Sequence, residues 1–183
     1  MSSDKSQCVN DRLSKDLKEQ EDINVVAIDC EMVGTRRGSI LARVSIVNSK
    51  GETICDKFVK PTGKVIDYRT PVSGIRPRDI ENGEAFAKVR QEVVKILKNK
   101  ILVGHGVKHD LEVLQISHPE HMIRDTSLHW KVKESSKLRT PSLKFLAKRL
   151  LGVTIQEGEH SSVEDAKAAL QVYLKERKNW ESS

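Results

Sequence analysis

The sequence predicts an α/β fold: a mixed five-stranded sheet, three antiparallel strands and then parallel strands, flanked by helices. Three apolar, β-branched segments follow one another closely after residue 24, with short links between them. Beyond them, helical periodicity alternates with short apolar runs. With 183 residues, 37% hydrophobic and 32% charged, the chain can bury one core.

In chain order, residues 1–23 are polar and charged, with only Leu13 and Leu17 at helical spacing, and are expected to form a flexible lead-in. Residues 24–180 are expected to form the folded domain. Val25–Cys30 is the first strand, Ile40–Asn48 the second and Glu52–Pro61 the third, ended by its proline. The links Thr35–Ser39 and Ser49–Gly51 are short enough for antiparallel hairpins. Arg76–Lys100 has a helical stripe of Phe86, Val89, Val93, Ile96 and Leu97. Ile101–His105 is a buried strand feeding a helix from about Lys108, and Ile123 marks another short strand. A helix follows Pro141 and is closed by Gly152. The last helix runs from about Ser162 to Trp180, with Val163, Ala166, Leu170, Tyr173 and Leu174 inward.

No window approaches the roughly 18 apolar residues of a membrane span. The N-terminus has no apolar stretch of the secretory type. The three cysteines, Cys8, Cys30 and Cys55, are odd in number and lack CxxC spacing, against a disulfide framework or a zinc site. Together these imply an intracellular protein. The net charge is +6; residues 1–24 hold four basic and six acidic side chains, leaving +8 on the rest. A basic body suits a polyanionic partner, nucleic acid first.

The chemistry is expected at "AIDCEMVG", where Asp29 and Glu31 stand one residue apart at the end of the first strand. Alternate strand residues share a face, so the two project together and Cys30 points away into packing. Like charges that close must share a proton or hold a cation. An all-oxygen donor set favours Mg²⁺ or Mn²⁺. Taken alone, the pair is also readable as two surface acids past the strand's end. Asp110 in "VGHGVKHDL" and Asp165 in "HSSVEDAKAAL" add two acids, each in the first turn of a helix. Ser161 and Glu164 fit a capping box, which leaves Asp165 without a capping duty. His160 precedes that box and could deprotonate a water. Four acids and a base suit phosphodiester hydrolysis by two metal ions about 3.5–4 Å apart.

The segments "AIDCEMVG", "ARVSIVN", "DYRTPVSGIRP", "ILVGHGVKHDL", "IRDT" and "HSSVEDAKAALQVY" resemble the DEDDh 3′→5′ exonucleases of the ribonuclease H-like superfamily, in their order. Within these, the chain is most similar to the group of RNA exonuclease 4 and the interferon-stimulated exonucleases. The resemblance covers about Val25–Trp180. It implies a ribonuclease H-like sheet and an enzyme that hydrolyses single-stranded RNA, or DNA, from the 3′ end. By the same resemblance Asp29 bridges two ions, Glu31 and Asp165 hold the ion that binds water, Asp110 supports the second, and His160 is the general base. Met32 and Val33 would seat the terminal nucleotide, and Arg69 would touch its sugar or phosphate. His105 and Lys144 are further expected nucleic-acid contacts. A monomer in the nucleus, within it the nucleolus, is the expected state. The chain departs from many relatives at Gly106 and His109, which neighbour Asp110.

Seven basic residues (Lys131, Lys133, Lys137, Arg139, Lys144, Lys148 and Arg149) against Glu134 form an expected phosphate track, also readable as the solvated side of a helix. Tyr68 and Trp130 are the aromatics expected near bases. The competing reading is a catalytically silent nucleic-acid-binding or scaffold protein on the same fold.

Overall fold

Eleven residues, Val25–Thr35, form the central strand β1, whose first four side chains, Val25 to Ile28, are apolar and buried on both faces. The structure, a computed structural model, describes residues 24–133 and 140–182, and of residues 131–133 the backbone alone. The expected lead-in over residues 1–23 lies outside the described residues.

The other strands are β2 Gly38–Asn48, β3 Thr53–Lys60, β4 Val65–Asp67, β5 Glu84–Ala85, β6 Ile101–Gly104 and β7 Ile123–Asp125. The helices are α1 Thr70–Ser73, α2 Pro77–Glu81, α3 Phe86–Leu97, α4 Val107–Leu114, α5 Thr126–Lys133, α6 Leu143–Leu146 and α7 Ser162–Trp180. A 3₁₀ turn at Glu120–Met122 precedes β7, and α6 runs on as a π-helical turn at Ala147–Leu151, closed by left-handed Gly152. Among the described residues the sheet has seven strands in the order β5-β3-β2-β1-β6-β7, with β4 pairing β1. The five expected strands are all present; β4 and β5 are short additions.

β1 pairs antiparallel with β2 and parallel with β6. Its alternation divides the core. Val26, Ile28 and Cys30 pack with Val89, Val93 and Leu97 of α3 and Val107 and Leu114 of α4. Val25 and Ala27 pack against Ala166, Leu170 and Tyr173 of α7. Helices therefore cover both faces of the strand.

Several expectations are corrected. β1 does not end at Cys30: β2 stays paired with it to Thr35 and β4 joins at Gly34, so Asp29 and Glu31 lie inside the strand. The helix expected over Arg76–Lys100 is broken into α2, β5 and α3. At the break Gly83 lies so close to β3 that a Cβ would meet the Lys60 nitrogen at 2.6 Å and the Val59 carbonyl carbon at 2.7 Å. Tertiary contact with β3 overrides helical periodicity there. Ser161 caps α7 without a side-chain hydrogen bond, so the expected capping box does not form. Its neighbour Ser162 instead turns inward, its hydroxyl 2.7 Å from that of Ser45. Leu174 faces outward, and Val172 takes the inward place.

Gly83→Ala should force β3 and β5 apart, at a cost of about 1–3 kcal/mol typical of overpacking. A lower urea midpoint with unchanged slope is the expected reading; an unchanged midpoint would show that the approach is not tight.

Candidate active site

β6 pairs with β1 only as far as Ala27. Past that point one edge of β1 has, among the described residues, no strand neighbour until β4 reaches Gly34. Asp29 and Glu31 occupy this gap, opposite Ser45 and Arg43 of β2. It is the switch point of the sheet, where β1 has an antiparallel neighbour on one side and a parallel one on the other, the usual place for a ligand.

Three segments converge there. Asp29 and Glu31 come from β1, and Asp165 arrives from the first turn of α7. Each of these three carboxyl groups offers an oxygen within 4.8 Å of the others; Glu31 and Asp165 are buried and Asp29 partly so. Asp110, buried in the first turn of α4, reaches the gap from the other side, accepting hydrogen bonds from the backbone and thiol of Cys30. It is not one of that close trio, yet its charge bears on Asp29 more than any other.

Burial and crowding raise the proton affinity of these acids. Glu31 is pushed up to about 7, by burial first and by Asp165 next, with Arg43 pulling back. Asp110 is pushed up to about 8 by burial, with Asp125 and Glu31 adding to it and its Cys30 hydrogen bonds opposing. Asp29 is raised well above the usual carboxylate range by burial and by all three of its acidic neighbours. Asp165 is raised by burial, offset by the Gln156 amide and by His160. Two buried oxygens, Glu31 Oε1 and Asp165 Oδ1, have no hydrogen-bond partner among the described residues. Buried lone pairs of that kind are costly. A hard divalent cation bound by oxygens satisfies both, so the donor set fits one.

His160 sits on the loop before α7, partly exposed, with Nδ1 3.7 Å from Asp165 Oδ2. The expected acids and histidine are thus brought together. The expected nucleic-acid contacts are more scattered. Met32 is half-buried beside the gap and lines a cavity of about 360 Å³ with Phe86, His109 and Glu112. The Val33 side chain is fully buried with Ala42, Ile75 and Ile80, so only its backbone can meet a ligand. Arg69 overlies Gly34 but is held by Ser39 (3.0 Å) and by Asp67 (3.8 Å). His105 turns Nδ1 to the Thr126 hydroxyl at 2.9 Å, and burial lowers its proton affinity. Lys144 donates to the Gln156 carbonyl at 2.8 Å. Trp130 is not free to stack on bases: it is buried against Leu146 and Val172. Tyr68 packs on the Val33 cluster. Of the basic track, Lys137 and Arg139 lie outside the described residues.

Two residues escaped the sequence reading. Asp125 ends β7 and accepts from the backbone of Gly106 (3.0 Å) and Val107 (2.9 Å), tying down the helix start that carries Asp110. An acid closing a short strand beside a buried strand was the available signal. Gln156, in the left-handed region at φ 56°, donates its amide to Asp165 Oδ2 at 2.9 Å. Nothing in the sequence marks it.

Fold and site together define a class: an α/β domain whose sheet carries an acidic pocket with a donor set that fits a divalent cation and an imidazole at its rim. A profile described as "Exonuclease" matches residues 26–173, and the chain belongs to that family. Among curated relatives, RNA exonuclease 4 of Xenopus tropicalis is 53% identical over 161 residues, covering 86% of this chain and 39% of that protein. RNA exonuclease 4 of Saccharomyces cerevisiae is 47% identical, covering 90% and 58%. The chain thus spans less than two thirds of the length of these relatives. Among solved structures, the Saccharomyces cerevisiae Pan2 pseudoubiquitin hydrolase-RNA exonuclease module in complex with AAGGAA RNA superimposes with a TM-score of 0.78 at 32% identity, over 86% of this chain and 29% of that one.

In EDTA the folded acids keep protons that the unfolded chain has already released, so the folded state binds more protons and stability falls as pH rises. Melting temperature should therefore drop between about pH 5 and pH 8, and Asp29→Asn should flatten that slope and stabilise the protein at the upper end. Added Mn²⁺ should restore stability, more at the higher pH, because cation and protons compete. Equal slopes for wild type and Asp29→Asn in scanning calorimetry would refute the crowding.

Proposed function

We propose that this domain is a metal-dependent 3′→5′ exonuclease that removes nucleotides from the 3′ end of single-stranded RNA, acting as a monomer with two Mg²⁺ or Mn²⁺ ions. The observation that carries this reading is the convergence of buried acids in the gap beside β1, two of them with unpartnered oxygens. The names of the curated relatives and the RNA in the Pan2 complex support RNA as substrate. The net charge of +6 supports a polyanion. Nuclear, and within it nucleolar, residence belongs to the same reading and rests on resemblance to the RNA exonuclease 4 group.

Asp29, Glu31 and Asp165 would hold one ion, and Asp29 with Asp110 the other. Bound there, the ions supply a nucleophilic water near neutral pH and stabilise charge on the departing oxygen. His160 accepts the proton of the attacking water, and Asp165, 3.7 Å away, stabilises the imidazolium that results. Asp125 holds the Gly106–Val107 turn, and with it Asp110, in register. Met32 and the Val33 backbone seat the terminal nucleotide beside the acids, and Arg69, overlying Gly34, meets its sugar or phosphate.

A 5′-labelled oligoribonucleotide incubated with Mn²⁺ should shorten as a one-nucleotide ladder, and a matched DNA strand measures the preference between the two. Asp29→Ala should abolish the ladder. Binding of the wild type without cleavage would instead establish the silent scaffold. His160→Ala should lower kcat by roughly 10²–10⁴-fold, the usual contribution of a general base. Its Mn²⁺ affinity, by titration calorimetry, should stay close to that of the wild type; unchanged turnover would remove His160 from the mechanism.

A further inference from the structure

The loop that carries His160 is irregular from residue 153 to the start of α7. Ile155 is its buried anchor on one side. On the other side the loop lies against the segment from Arg69 to Glu81, remote in sequence and without a residue in the acidic pocket. The His160 N–H donates to the Val72 carbonyl of α1 at 2.6 Å. Gly74, left-handed at φ 67°, brings its backbone so close that a Cβ would stand 3.3 Å from the His160 carbonyl oxygen and 3.5 Å from Glu159. Arg76 then grips Glu159 with both arms of its guanidinium, Nη1 to Oε2 at 3.0 Å and Nη2 to Oε1 at 2.7 Å.

The gripping segment is itself braced. Arg76 Nη1 also donates to the Gly74 carbonyl at 2.8 Å, and the Arg76 N–H donates to Asp79 at 2.8 Å. The Ser73 hydroxyl donates to the Tyr68 carbonyl at 2.8 Å and accepts from the Ile75 N–H at 3.1 Å. Ile75 and Ile80 anchor the segment under Val33 of β1. The brace therefore runs from the strand that bears the acids to the residue next to the base. We infer that Arg76 is a positioning residue: through its bidentate pair with Glu159, and with the Val72 carbonyl, it fixes His160 at the rim of the acidic pocket. This rests on the assignment of His160 as general base.

Both partners are close to half exposed, Arg76 at 43% and Glu159 at 42%. An exposed pair contributes little to global stability. What a planar two-point grip supplies is orientation, which a lysine cannot reproduce. Displacing a reacting group by about 1 Å can cost as much as a hundredfold in rate.

The test is a double-mutant cycle on the metal-loaded protein with a single-stranded oligoribonucleotide. Arg76→Ala should lower kcat by roughly ten- to a hundredfold, with KM, Mn²⁺ affinity and melting temperature close to wild type. In a His160→Ala background the same change should cost nothing further, because the base it positions is gone. Arg76→Lys should recover only part of the loss. Hydrogen exchange of the His160 amide, read in the absence of metal, should accelerate at least tenfold in Arg76→Ala. A loss of turnover in His160→Ala beside normal turnover in Arg76→Ala overturns the positioning role alone. So does a cost of Arg76→Ala that persists undiminished without His160, or unchanged protection of the amide. Unchanged turnover in His160→Ala overturns the base assignment and the positioning role with it.

Discussion

Everything in this domain is arranged around one unfavourable interaction, the mutual repulsion of carboxylates placed where water is scarce. Asp29, Glu31 and Asp165 share a space less than 5 Å wide in which Coulomb repulsion is poorly screened, and Asp110 presses on Asp29 from behind. Without a cation the folded chain answers by retaining protons, which is why Glu31 and Asp110 sit near neutrality. A divalent ion answers the same repulsion by supplying positive charge. A site destabilised in this way is one that a bound divalent cation would relieve.

The sheet makes such crowding tolerable. β6 stops pairing at Ala27, which leaves a notch beside β1 instead of a ladder. β2 remains paired on the opposite edge, so the acids stand on a rigid strand although one edge is open. Each incoming element has its own tether. The Ser45 and Ser162 hydroxyls link β2 to the start of α7, and with it Asp165. Asp125 binds the backbone at the start of α4, and with it Asp110. Arg43, fixed by a two-point pair with Asp56, brings a positive charge toward Glu31. The acids are thus carried by regular structure, whereas the histidine rides on a loop. Under the proposed function that division is apt, since cation binding needs donors held on rigid elements.

Much of this was legible in the primary structure. Local patterning located β2, β3, β6, β7, α4 and α7 to within a few residues, because each is apolar on the side that meets the core. The acids and His160 stood out only as a set: Asp29 and Glu31 alone could have been surface acids past a strand, and it was their combination with Asp110, Asp165 and His160 that pointed to one site. The extent of β1 was not legible: beyond Cys30 its pairing depends on β2 and β4, and no local signal reports a partner strand. The break at Gly83 had a local signal, the turn dipeptide Asn82-Gly83 ahead of a stripe that starts at Phe86, but not the close approach of β3 that requires the glycine. The absent capping box at Ser161 is another case, for Ser45 of a distant strand draws the neighbouring Ser162 inward.

By itself the sequence determined which residue types would be available, two acids two positions apart on a strand, one acid at each of two helix starts and an imidazole beside the second. Those are matters of local chemistry and of the two- and 3.6-residue periods. Only the tertiary structure decided that they meet, that Trp130 belongs to the core and not to a nucleic-acid path, and that Arg76 reaches Glu159 across eighty-three residues. Contacts of that kind are set by strand order and by packing between distant segments, and neither is written in any short stretch of chain.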